Sequence, residues 1–227
     1  MFRLSNSIKL ANDRGINAVI AEIKVHSPKH GDLLKGRDPI EILRAYERAE
    51  VCGISYITES NHFKGSFEFL KELCKLTDLP VLRKDFITNK FEIERTAEVE
   101  ASAILLITRI LKEKTTEFVD FAKEHGLDTV VEVHTPQELE IALDTNTTII
   151  GINNRDIGQL ERDDGDVSLT EKLAPLIPKK FVKLSESGIG SLKDLKRALK
   201  FADAVLIGTA FMLAEDTESF VRCFVHA

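Results

Sequence analysis

The chain has few of the residues that usually betray an extracellular, membrane or metal-bound protein. It carries three cysteines in 227 residues, Cys52, Cys74 and Cys223, odd in number and widely scattered. That pattern fits neither a disulfide framework nor a zinc site, and reads as small apolar side chains in a reducing cytoplasm. Its six histidines, His26, His30, His62, His125, His134 and His226, show no ligand spacing, and no carboxylate cluster calls for a metal. No apolar run is long enough to cross a bilayer, and the start, Met1-Phe2-Arg3-Leu4-Ser5-Asn6, has no secretory core. There is no excess of positive charge either. A net charge of −6 offers nothing to nucleic acid or to an anionic membrane, so an anionic ligand must be held by local groups.

What the chain does have is repetition. At 43% hydrophobic and 30% charged it can bury a large core. Short apolar runs begin near Ala18, Cys52, Pro80, Ala101, Asp128, Thr148, Phe181 and Asp203, each followed by an amphipathic stretch. The mean spacing, (203 − 18)/7 or about 26 residues, accommodates one strand, one helix and two short loops. Eight such units without a break in composition predict an α/β fold of one domain, residues 1–227, closed as a parallel (β/α)8 barrel with residues 1–17 as an N-terminal extension. A doubly wound sheet would want a glycine-rich first turn, and here that turn is Val25-His26-Ser27-Pro28. Asp38-Pro39 reads as a helix start. Thr135 with Glu138, Ser168 with Glu171 and, more weakly, Ser191 with Asp194 read as capping boxes. Two long connections, Val25 to Asp38 and Asn153 to Val167, lie on the strand-to-helix side, and the first, with Gly31 and Gly36, suits a lid.

The polar residues fall at strand ends. In the first run, Val19, Ala21, Ile23 and Val25 keep one face apolar while Ala18, Ile20, Glu22 and Lys24 turn charged toward the C-terminal end. Lys84 is in register with Leu82, Glu132 with Val130, and Asn153 closes the sixth run; the seventh and eighth run into Ser185-Glu186-Ser187-Gly188 and Gly208-Thr209. In a closed barrel these side chains converge on one bowl. Buried ion pairs contribute little to stability, so several of them at one end point to a site rather than to structure alone. Glycines at Gly188, Gly190 and Gly208 allow backbone N–H groups to approach a phosphate, with Lys24 supplying charge. Phe63 and Phe86 either cover helix ends or wall an aromatic substrate. Arg155 either holds a carboxylate in a fork or pairs with Asp156.

Six blocks carry a resemblance to the indole-3-glycerol-phosphate synthase family: Ile20-Ala21-Glu22-Ile23-Lys24 with Ser27-Pro28, Leu82-Arg83-Lys84-Asp85-Phe86, Val131-Glu132-Val133-His134, Gly151-Ile152-Asn153-Asn154-Arg155-Asp156, Ser185-Glu186-Ser187-Gly188-Ile189 and Leu206-Ile207-Gly208-Thr209. They occur in order from the first strand to the last. The resemblance implies a cytoplasmic, monomeric lyase of tryptophan biosynthesis acting without cofactor. It would convert 1-(2-carboxyphenylamino)-1-deoxyribulose 5-phosphate to indole-3-glycerol phosphate, CO2 and water. It further implies Lys84 as the general acid, Glu132 as an acid–base group in the later dehydration, and Lys24 as a second essential lysine. Glu22 would hold the lysines, and Asn153 and Ser187 would orient the substrate. Phosphate would lie against Ser27, Gly188, Gly208 and Thr209. The anthranilate ring would sit near Pro28, Phe63, Phe86, Leu105 and Ile107, its carboxylate toward Arg155.

The residue types suit that chemistry. A lysine acts as an acid near neutrality when burial or a neighbouring cation lowers its pKa, and such lowering is expected here. The chain also departs from the family's pattern. The segment before the first strand is short, which puts part of the substrate cover in doubt. His26 stands where a lysine or arginine is common, and Thr209 replaces a frequent serine. Glu50 and Glu100 stand at helix ends where glycine is common, so those ends are expected to close without a left-handed residue. Little chain follows the eighth strand, so no fused enzyme domain is expected. Two other readings compete. A phosphate-binding isomerase barrel such as phosphoribosylanthranilate isomerase would offer cysteine and aspartate instead of lysines and glutamates. A catalytically silent sensor of a phosphorylated metabolite would need only the phosphate site.

Overall fold

In the computed structural model, which describes residues 3–155 and 166–227, eight parallel strands close into a barrel. They are β1 (Val19–Ile23), β2 (Gly53–Ile57), β3 (Val81–Lys84), β4 (Ala103–Ile107), β5 (Asp128–Val133), β6 (Ile149–Asn153), β7 (Val182–Glu186) and β8 (Ala204–Ile207). Each pairs with its neighbours in sequence, and β8 returns to β1 through Val19↔Val205 and Ala21↔Ile207. Every strand begins within two residues of its expected start. The strands are near-continuous apolar runs because both of their faces are covered.

The barrel interior is filled from the floor upward. Ile20, Leu82, Ala103, Val130, Ile149 and Leu184 pack inside with Leu4, Ile8 and Ala11 of α1 (Leu4–Asp13), which plugs the N-terminal end. Asp128, at the start of β5, accepts hydrogen bonds from the Ser5 N–H and hydroxyl at 2.9 and 2.7 Å, and fixes that plug. The short extension is thus a ten-residue helix over the barrel floor, at the far end from the polar strand ends.

Outside the barrel lie α2 (Pro39–Arg48), α3 (Phe67–Leu76), α4 (Lys90–Glu98), α5 (Thr115–Glu124), α6 (Pro136–Leu143), α7 (Ser168–Leu173), α8 (Leu192–Ala198) and α9 (Thr217–Val225). Their starts follow the sequence signals in part. Asp38 caps α2 by accepting from the Ile40 N–H at 2.9 Å, and Ser191 with Asp194 forms a full capping box. The other two boxes do not close. Thr135 accepts from Glu138 N–H, but the Glu138 carboxylate is taken by the His134 N–H and by Arg109. Ser168 lies inside its helix, with Asp166 accepting from its N–H, while Glu171 pairs with Arg197. Glu50 and Glu100 also overturn expectation: their φ angles of 65° and 60° put a left-handed residue at both helix ends, with no glycine to ease it.

The first long connection is an ordered piece of structure. His26–Ser27 and Gly31–Asp32 pair as a small antiparallel hairpin. Leu33, fully buried, and Arg37, which donates to the carbonyls of Leu33, Leu34 and Met212, pin its return to α2. The second connection lies largely outside the described residues.

Candidate active site

Register decides which side chains meet. Across β4 to β7 the pairs Ile107↔Glu132, Glu132↔Gly151 and Asn153↔Glu186 bring the strand ends to one level, and Ile57↔Lys84 with Glu22↔Ser55 completes the ring. Above this level opens a cavity of about 420 Å³. Fourteen of the sixteen residues expected at the site line it: Glu22, Lys24, Phe63, Lys84, Phe86, Leu105, Ile107, Glu132, Asn153, Arg155, Ser187, Gly188, Gly208 and Thr209. Ser27 and Pro28 do not. Ser27 is fully buried in the hairpin, where its hydroxyl accepts from the Lys29 N–H at 3.3 Å. Asp156, the alternative partner for Arg155, lies outside the described residues.

Glu22 stands between the two lysines. Its Oε1 is 3.2 Å from Lys24 Nζ and its Oε2 is 3.6 Å from Lys84 Nζ, with the Ser55 hydroxyl donating to Oε2 at 3.4 Å. Lys24 turns away from that centre. Its ammonium donates to Thr209 Oγ1 at 3.2 Å and lies 5.9 Å from the centre of the Phe63 ring. Lys84 reaches across the barrel to Glu186 Oε2 at 2.9 Å.

Glu186 was not among the expected site residues. It shares the inward register of Leu184 and Val182, the same signal that marks Lys84 and Glu132, but it stands between two serines and ahead of a glycine, where the turn is the stronger signal. Fully buried behind the cavity wall, it sits against a strand position that has no side chain: a Cβ on Gly151 would come within 2.1 Å of Glu186 Oε1. A Cβ on Gly208 would come within 2.3 Å of Glu22 Oε1. These two glycines make room for carboxylates inside the barrel.

The electrostatics differ from expectation in one respect. Burial works to lower the pKa of Lys84, but Glu186, Glu22 and Glu132 more than offset it, and the pKa is raised. The free site holds Lys84 firmly as an ammonium. Burial pushes the Glu186 carboxyl up to about 6 despite Lys84, and raises Glu132 as well, where Lys84 and a 3.1 Å hydrogen bond from Asn153 Nδ2 work against it.

The rim is built by hydrogen bonds that fix its loops. Glu59, 7% exposed, accepts from the N–H groups of Asn61, His62 and Phe63 at 2.8–3.0 Å and so places the Phe63 ring. Buried Asn154 donates to the carbonyls of Glu186 and Ser187 and to Ser185 Oγ. Ser187 and Gly188 are successive left-handed residues, at φ 65° and 71°, and line the cavity where the chain leaves β7. The Phe63, Phe86, Leu105 and Ile107 side chains give the cavity one apolar wall. The arrangement can take an aromatic anion with a phosphate and present it with ammonium and carboxyl groups. No group of three or more metal-binding side chains occurs among the described residues.

Comparison with known proteins points the same way. Residues 3–224 match the family model described as indole-3-glycerol phosphate synthase. The chain is similar to the indole-3-glycerol phosphate synthases of Thermococcus kodakarensis, 68% identical over 226 residues, and Pyrococcus furiosus, 69% identical over 227 residues. Each alignment covers 100% of this chain and 98% of the relative. A solved chain from Aquifex aeolicus VF5 has a TM-score of 0.69 at 13% identity, covering 99% of this chain and 96% of that one. That likeness speaks to the fold alone.

Proposed function

The chain belongs to the indole-3-glycerol phosphate synthase family, and from that premise we propose how its barrel mouth carries the reaction. The enzyme is a carboxy-lyase of tryptophan biosynthesis. The carboxyphenylamino deoxyribulose phosphate lies with its ring against Phe63, Phe86, Leu105 and Ile107, its carboxylate toward Arg155 and its phosphate toward Gly188, Gly208 and Thr209, with Asn153 and Ser187 orienting it. Ser27 and Pro28, although away from the cavity wall, stay in the proposal as groups that meet the substrate when the hairpin packs onto it.

The ring carbon bearing the carboxylate attacks the ketone carbon, and a carbon–carbon bond forms. Lys84 donates its proton to the ketone oxygen as that oxygen becomes an alkoxide. Because the alkoxide is far more basic than an amine, an ammonium held charged by carboxylates is still a competent donor, and its charge stabilises the oxygen throughout. Loss of CO2 restores ring aromaticity. The hydroxyl then leaves as water, with Glu132 exchanging the proton and Lys24 close to both the phosphate and the reacting carbons. Glu22 and Glu186 hold the lysines in place, and Asn153 orients Glu132.

The convergence of Lys24, Lys84, Glu22 and Glu132 on a cavity with an apolar wall is the observation that carries this reading. Residues 1–227 act as one catalytic domain, which we take to be monomeric and cytoplasmic; no helix among the described residues is long and apolar enough to cross a membrane. Purified protein given the substrate without added metal or cofactor should yield a fluorescent indole product. Tight binding without turnover would favour the sensor barrel instead.

A further inference from the structure

We propose that His134 is a positioning residue for Glu132, taking up and returning the proton that this carboxyl group exchanges. The inference rests on the reading of Glu132 given above. The Glu132 Oε1 atom and the Nε2 atom of His134 are buried without a hydrogen-bond partner, a costly state for groups of this kind. They face one another: Nε2 lies 3.6 Å from Oε1, between side chains 4% and 1% exposed. A shift of a few tenths of an ångström makes the hydrogen bond, and such contacts tighten when substrate fills a site.

The other side of the ring biases the tautomer. His134 Nδ1 lies 3.4 Å from Glu138 Oε2, and that same oxygen accepts the His134 backbone N–H at 2.6 Å. Arg109 donates to Glu138 Oε1 at 3.0 Å and leaves Oε2 to face the ring. Glu138 Oε2 is the acceptor nearest Nδ1 and favours the proton there. A neutral imidazole has only one N–H, so Nε2 turns a lone pair toward Glu132. A carboxylate facing that lone pair is repelled, whereas a protonated carboxyl donates to it.

The surrounding charges agree. Lys84 on β3, Glu186 on β7, Glu138 on α6 and Arg109 in the helical turn Thr108–Leu111 are the titratable and charged groups around the pair. Burial and then Arg109 lower the pKa of His134, while burial raises that of Glu132. One proton therefore serves both residues. When Glu132 acts as a base, its O–H bond has broken, the electron pair stays on the carboxylate and the proton is on Nε2; the reverse transfer restores the acid. No other reactant is needed.

Selective 15N labelling of histidine in the unaltered enzyme reads the tautomer directly. Nδ1 protonated and Nε2 bare is expected; the opposite tautomer, or an imidazolium persisting through neutral pH, overturns the proposal. This measurement decides even if a variant fails to fold. For His134→Asn we expect kcat to fall about tenfold or more with KM within about twofold of the unaltered enzyme. The limb of the pH profile that belongs to Glu132 should move about one unit toward acid, because the neutral form has lost its acceptor. In a Glu132→Gln background the same change should add nothing. An unmoved pH profile, or losses that multiply in the double variant, overturns the proposal while leaving Glu132 in its role. Full activity of Glu132→Gln would remove that role and this inference together.

Discussion

Lys84 on β3 donates to Glu186 on β7 across 2.9 Å, joining strands from opposite sides of the barrel at its centre. In the proposed mechanism this pair holds the ammonium beside the developing alkoxide. Lys84→Met should lower kcat by roughly 10²–10⁴ with little change in KM, read from the fluorescence of the indole product. A loss confined to KM would mean that Lys84 binds substrate and does not donate.

The same substitution has a consequence for stability with a definite sign. Glu186 titrates near 6 with Lys84 beside it, above its ordinary value of 4.5. A carboxyl raised in the folded state binds a proton on folding, so stability falls as pH rises between those values. Without Lys84 the pKa climbs further, and the fall extends to higher pH. Thermal unfolding of Lys84→Met should show its largest deficit at neutral pH and approach the unaltered enzyme below about pH 4.5. A deficit that does not vary with pH would mean Glu186 is not the group that suffers.

Glu59 shows the opposite sign. Burial works to raise its pKa, but the three backbone N–H donors and His62 prevail and hold it below the ordinary 4.5. Its contribution is therefore complete above pH 4.5 and is lost as pH falls through the lowered value. Glu59→Gln offers one acceptor oxygen instead of two, and should melt a few degrees lower at pH 7, the gap closing in acid. KM should rise as well, because the loop that carries Phe63 loosens. Unchanged KM would mean the ring at Phe63 does not wall the substrate.

Much of this was legible in the chain, and the exceptions have physical causes. Strand starts and inward polar positions follow from period-two apolar runs, which both faces of a buried strand reinforce. Helix caps were read less well, because a capping glutamate is free for its box only if nothing in three dimensions claims it. Arg109 and the His134 N–H claim Glu138, Arg197 claims Glu171, and Asp194 is left to Ser191. The direction of the Lys84 shift needed the number of carboxylates around it, which spacing along one strand cannot give. Glu186 has the inward period, but the Ser187-Gly188 turn beside it masks that signal.

Gly151 tests whether Glu186 matters to the site. It lies within β6, outside the left-handed region, so alanine is conformationally admissible there. Its Cβ would nevertheless come to 2.1 Å from Glu186 Oε1 and 2.9 Å from Val130 Cγ1. Glu186 must move, and moving breaks its contact with Lys84. Gly151→Ala should lose tenfold or more in kcat, with an overpacking cost of about 1–3 kcal/mol. Adding Glu186→Asp withdraws one methylene from the clash and should recover stability without recovering kcat. Full activity in Gly151→Ala would show that Glu186 is not needed where it stands.

Thr209 separates the two tasks that meet at Lys24. The ammonium contacts Glu22 at 3.2 Å on one side and Thr209 Oγ1 at 3.2 Å on the other. If the threonine hydroxyl binds phosphate, its hydrogen bond to a charged group is worth about 1.5–3 kcal/mol in ground and transition states alike. Thr209→Val should then raise KM by roughly 10–100-fold with kcat nearly unchanged, weaken competition by inorganic phosphate in parallel, and be rescued by Thr209→Ser. If the hydroxyl instead serves to aim Lys24 at the reacting carbons, the variant releases the ammonium toward Glu22, kcat falls, and KM and phosphate competition hold. The two outcomes fall on different kinetic constants, so one pair of saturation curves assigns Lys24 to the phosphate or to the chemistry.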